Sequence, residues 1–120
     1  MNRKSNENRD QFTEAMSSRE GGQVKLKHVI KKRCVQNITS FYRNVSKKYK
    51  HTYSLELMEK NVNEAYDAIF QIERTLLRRE PTLERWKGYM MANTDKWYYA
   101  YTFDGETVTV VDACHAQNIK

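Results

Sequence analysis

The sequence predicts an α+β fold in one small domain, and three observations carry that expectation. An alternating strand pattern precedes two long amphipathic helix patterns. A hairpin of aromatic and β-branched residues closes the chain. At 120 residues the chain can build one core, which excludes a dinucleotide-binding or barrel enzyme on length alone.

Taken in order, residues 1–22 are polar, rich in Asn, Ser, Glu and Arg, and end on Gly21-Gly22. They read as a flexible N-terminal arm, with residues 23–120 as the folded domain. Phe12 and Met16 are the arm's two apolar anchors, too few to hold a helix without a docking surface. Val24 to Ile30 alternates Val24, Leu26, His28 and Ile30 against Lys25, Lys27 and Val29, the period of a strand with one wet face. From Lys31 to Tyr49 the apolar residues Cys34/Val35, Ile38, Phe41/Tyr42, Val45 and Tyr49 recur every three or four positions, so a helix follows. Ser54 is placed to cap a second helix. Its stripe of Leu55, Met58, Val62, Ala65/Tyr66, Ile69, Ile72 and Leu76 extends to Arg78 and Arg79, and Pro81 ends it. With a short Lys50 to Tyr53 connection, the two helices should form an antiparallel hairpin. Thr82 to Met91 is ambiguous between loop and strand. Lys96 to Phe103, the Asp104-Gly105 turn and Glu106 to Cys114 make a β-hairpin. The helices must then cover one face of a small sheet. On alternation Trp97, Tyr99, Tyr101 and Phe103 share one face of their strand, with Tyr98, Ala100 and Thr102 on the other.

Charge gives the first functional signal. The formal net charge is +6, yet Gln23 to His51 holds nine bases and no acid. Exposed like charges at that density repel unless a polyanion or an acidic partner neutralises them, although a solvated basic face has the same composition. Lys31, Lys32, Arg33, Lys47 and Lys48 are therefore candidate nucleic-acid contacts. Trp86, Tyr89, Trp97, Tyr98, Tyr99 and Tyr101 could stack on bases, or divide between core and surface cover. Cys34 and Cys114 lack metal-ligand spacing and read as reduced, buried thiols, so no metal or other cofactor is expected. No apolar run approaches a membrane span and no apolar leader core follows the basic start, so a cytoplasmic location without membrane association is expected.

The order β-α-α-β-β-β, the basic first helix and the ending from Phe103 to Ile119 together resemble the RelE/ParE superfamily of bacterial toxin-antitoxin modules, including plasmid-stabilisation toxins. The matching pieces are the aromatic strand Tyr98 to Phe103, the turn Asp104-Gly105, the strand Val108 to Val111, the His115-Ala116-Gln117-Asn118 ending and the Ser54-Leu55-Glu56-Leu57 helix opening. The resemblance spans Val24 to Ile119 and implies a helical hairpin packed on a small, mostly antiparallel sheet. It also implies a growth-inhibiting toxin held inactive by an acidic antitoxin encoded in an adjacent gene.

Relatives divide into ribosome-associated endoribonucleases that cut mRNA without a metal, and ParE-type inhibitors of DNA gyrase. For ribonuclease action His115 resembles the position where such members carry an Arg or His, and Glu84 is the candidate base. Arg85, Lys87, Lys96, Tyr98 and Gln117 join the basic block as RNA contacts. An exposed Glu84 beside Arg85 is more often a surface ion pair. The basic ladder of ribonuclease members has Tyr89, Met90, Met91 and Tyr98 in its place here. Three functions therefore stay open: a ribonuclease, a gyrase inhibitor without enzymatic activity, and a nucleic-acid-binding member that has lost catalysis.

Overall fold

The computed structural model describes residues 26–119, so the expected N-terminal arm lies outside the described residues. Strand β1 (Lys27–Ile30) leads into helix α1 (Lys32–Lys48) and helix α2 (Leu55–Ile69), and strands β2 (Met90–Asn93), β3 (Trp97–Phe103) and β4 (Thr107–His115) complete an α+β architecture. The four strands form one mixed sheet in the order β1-β4-β3-β2, with β1 parallel to β4 and the other pairs antiparallel.

Both helices lie on one face of this sheet. The stripe of α1 buries Cys34, Ile38 and Tyr42, and α2 buries Ala65 and Ile69. They pack on Trp97, Tyr99, Tyr101, Val108 and Val110, so the Trp97/Tyr99/Tyr101 side of β3 is the one that meets the helices. The hydroxyls of that row find partners despite burial, as an apolar interior requires. Tyr99 donates to the Ala65 carbonyl at 2.7 Å, and the Trp97 indole donates to the Tyr42 hydroxyl at 3.0 Å.

Ser54 caps α2 as expected, accepting from the Leu57 N–H at 3.0 Å. The helix ends at Ile69, short of the Leu76 that its apolar stripe predicts. Turn bonds such as Ile72 N–H to the Ile69 carbonyl replace the helical ones, and tertiary bonds fix the new path. The Ile72 carbonyl faces His28 Nε2 at 3.1 Å, and Glu73, with φ 68°, accepts from the Tyr101 hydroxyl at 2.6 Å and from Arg78 at 2.9 Å. Arg79 joins the edge of the sheet, its N–H donating to the Met91 carbonyl at 2.7 Å.

The predicted terminal hairpin forms one residue further on. Asp104 and Thr107 flank the turn, Gly105 takes φ 100°, and the Asp104 carboxylate accepts from the Glu106 and Thr107 N–H groups. A β-bulge then changes the outcome of alternation. Ala100 opposes Asp112 while Tyr101 opposes Val110, leaving Val111 as the extra residue. Beyond the bulge it is Ala113 and His115 that face the helices. Asp112 and Cys114 are turned toward the other side, where Leu83, Trp86, Met91 and Ala100 form a smaller core under the 3-10 turn Glu84–Trp86.

Candidate nucleic-acid interface

Helix α1 holds the site. Its outward residues Lys32, Arg33, Gln36, Asn37, Ser40, Arg43, Asn44, Lys47 and Lys48 are all exposed and include five bases and no acid. At 1.5 Å per residue, Arg33 and Lys48 lie ~22 Å apart along the axis, so the basic block forms a stripe and not one compact patch. Only the far end of that stripe reaches His115.

There α1, the start of α2 and the end of β4 enclose an open cleft of 570 Å³. Asn44, Lys48 and Tyr49 line it from α1, Tyr53 and Asn61 from the helix connection and α2, and Lys96, His115, Gln117 and Asn118 from the sheet end. The His115 ring is stacked on Phe41, with centroids 4.0 Å apart and planes 9° from parallel, and meets Trp97 edge-on at 5.1 Å. Its Nδ1 accepts the Gln117 N–H at 3.1 Å. A nitrogen that accepts carries no proton, so the neutral ring is the tautomer protonated on Nε2. Burial first, and then the Lys96 charge, pull the His115 pKa below the ordinary histidine value. The cleft is therefore lined by a neutral imidazole and two ammonium groups, Lys48 over the ring of half-exposed Tyr49 and Lys96 at 3.9 Å from the Glu64 carboxylate. Such a set can hold a phosphate and stack a base.

The other predicted contacts are dispersed. Glu84 and Lys87 line a separate cleft with Pro81 and Tyr89, on the sheet face away from the helices, so Glu84 and His115 do not share a site. Tyr98 packs against the smaller core and faces away from the His115 cleft. Gln117 lines that cleft and fixes the imidazole through its backbone. Lys31, Lys32 and Arg33 stand at the opposite end of α1. Lys47 is exposed beside Lys48.

Sequence reasoning missed two features. Tyr49 scans as the last position of an apolar stripe, yet it is half exposed with the Lys48 ammonium 5.5 Å over its ring. The second is Asp112, an acid inside a run of β-branched and small residues, and that misfit was the available signal. It is 5% exposed and accepts from the Asn37 amide at 2.6 Å, the Trp86 indole at 2.8 Å and the Ala113 N–H at 2.9 Å. Arg33 approaches one carboxylate oxygen at 3.8 Å and Arg85 the other at 3.7 Å.

Burial pushes the Cys34 thiol pKa up, which suits an inert core residue. Among the described residues no group of three His, Cys, Asp or Glu is placed to hold a metal ion, and no helix is long and apolar enough to cross a membrane. No family model, curated protein or solved structure matches this chain.

Proposed function

We propose that the protein is a cytoplasmic toxin of the RelE/ParE type, inhibiting translation by cutting ribosome-bound mRNA and neutralised by an acidic antitoxin. The observation that carries the reading is the cleft in which His115, Lys48 and Lys96 converge at the end of an acid-free helix face. The β-α-α-β-β-β order and the sheet β1-β4-β3-β2 are compatible with that superfamily.

In such a reaction the ribose 2′-hydroxyl gives its proton to solvent water and its oxygen attacks the adjacent phosphorus. The P–O5′ bond breaks and the departing 5′-oxygen takes a proton from water, and charge accumulates on the non-bridging oxygens in between. Lys48 and Lys96 supply the cations for that charge, and His115 Nε2–H donates to one oxygen. Its ring is held against rotation by Phe41 on its face and by the Gln117 N–H at Nδ1. Proton delivery by the imidazolium would require a proton at Nδ1, displacing that contact, so donation from the neutral ring is the role the geometry favours. Tyr49 is the surface for the neighbouring base. Glu84 has no part in this step, since it lines another cleft.

A second reading, gyrase inhibition, is favoured by one observation: a histidine whose Nδ1 is engaged is poor at exchanging protons. Purified protein added in parallel to a translation reaction and to a gyrase supercoiling reaction separates the two. Arrested translation with unimpaired supercoiling is expected. Blocked supercoiling with normal translation would replace the first reading by the second.

A further inference from the structure

We infer that Arg33 and Arg85, brought together by the buried Asp112 carboxylate, form a clamp for a single backbone phosphate of the RNA strand, remote from the His115 cleft. The inference rests on the RNA-cleaving reading and extends it to how the strand is held.

The two arginines come from distant parts of the chain, one from the first turn of α1 and one from the 3-10 turn on the other side of the sheet. They come together beside β4 where β1 has ended opposite Val110, so that among the described residues no strand pairs with that edge of β4 beyond the bulge. Asp112 sits in that gap. Its oxygens are already engaged by Asn37, Trp86 and Ala113, so both guanidinium groups stand outside hydrogen-bond range, at 3.8 and 3.7 Å. They are attracted by the carboxylate without spending their donors on it. Their side chains remain 70% and 53% exposed. Arg85 is further held by its contact with the Trp86 ring, 5.7 Å from the centroid.

Two guanidinium charges against one carboxylate leave one positive charge, the complement of a phosphodiester. Two guanidinium groups, each beside a different oxygen of one carboxylate, carry the donors for bidentate capture of phosphate oxygens, which lysines at the same places would not supply. The acid-free face of α1 runs from Arg33 to Asn44 and Lys48 at the cleft, so a strand lying along it passes from clamp to cleft over ~16 Å. That continuity favours a nucleic-acid strand over an acidic peptide. Asp112 is a positioning residue here and touches no ligand.

The test is fluorescence anisotropy of a labelled single-stranded oligoribonucleotide carrying 2′-O-methyl groups, which cannot be cut, titrated with the full chain at several salt concentrations. Arg33→Ala and Arg85→Ala should each weaken binding about tenfold. The double variant should fall well short of the hundredfold product, because both groups hold one phosphate. The salt slope should lose about 0.7 for the pair, not twice that. Arg85→Lys should keep the slope yet lose affinity. In an Asp112→Asn background the coupling between the two arginines should vanish. Affinity indifferent to both arginines, or losses that simply multiply, would overturn the clamp. So would a poly-glutamate peptide that binds with the same dependence on both arginines while RNA does not. The reading it rests on fails separately: His115→Gln that cuts mRNA at the wild-type rate overturns the cleft chemistry while the arginine coupling stands.

Discussion

His115 and His28 show how the same side chain reaches one tautomer, protonated on Nε2, through opposite hydrogen bonds. At His28 the Ile72 carbonyl can only accept, so Nε2 carries the proton and Nδ1 is left without a partner inside the core. Burial first, opposed by the Ile72 bond and assisted by Arg74, lowers its pKa below the ordinary value. The sign follows. The unfolded chain binds a proton more readily than the folded one, so this contribution to stability is complete above pH ~6.5 and is lost as pH falls through the lowered native value. Urea unfolding at pH 7 and pH 5 should show a drop in wild type, with a smaller drop in His28→Phe. An equal drop in both would remove His28 as the cause.

His115, lowered by burial and Lys96, has the same sign in a functional setting. If the neutral donor is the working form, RNA cleavage should be level from pH 8 to pH 6.5 and decline below. A rate that climbs as pH falls below 6.5 would assign the imidazolium instead. His28 was legible as a member of the inward row of a strand, and His115 as a polar ending. Neither tautomer was, because each is set by a backbone group that only the fold brings close.

The helices and strands differ in how much of them the sequence disclosed. Helix α1 and the β3-β4 hairpin were readable because local period and turn chemistry agree with burial. The last turns of α2 were not, since the apolar stripe continues through Ile72 and Leu76 while His28 takes the Ile72 carbonyl and Tyr101 and Arg78 hold the Glu73 carboxylate. The bulge at Val111 was hidden for a similar reason. Strict alternation would bury Asp112 and Cys114 under the helices, whereas the extra residue gives those places to Ala113 and His115.

The start of α1 carries a local conflict. Lys31 occupies the N-cap with no side-chain bond to the helix, and no acid stands in the first turn. Cations at the positive end of a helix dipole oppose its stability. Lys31→Asp should therefore raise stability by about 1 kcal/mol in chemical unfolding. The same variant should weaken RNA binding and lower the magnitude of the salt slope by about 0.7. A stabilised protein with undiminished RNA affinity would show that Lys31 serves no ligand.

Across the whole chain, charge and topology divide the labour. The sheet's helix face is filled by aromatics whose hydroxyl and indole groups are paired inside, leaving little of that row to stack on bases. Stacking thus falls to Tyr49 at the cleft, which the pattern of the strand could not foretell. The acid-free run from Gln23 to His51 was legible as an electrostatic footprint, but its division into two ends of one helix required the fold.

The central claim is that the His115 cleft cuts RNA. It is tested most directly by mapping the ends of ribosome-bound mRNA after brief exposure to purified protein, with wild type beside His115→Gln. The account predicts new breaks ending in a 2′,3′-cyclic phosphate, slowed by about 10²- to 10³-fold in the variant. Intact mRNA under wild-type protein, or breaks that form equally fast in His115→Gln, would contradict it.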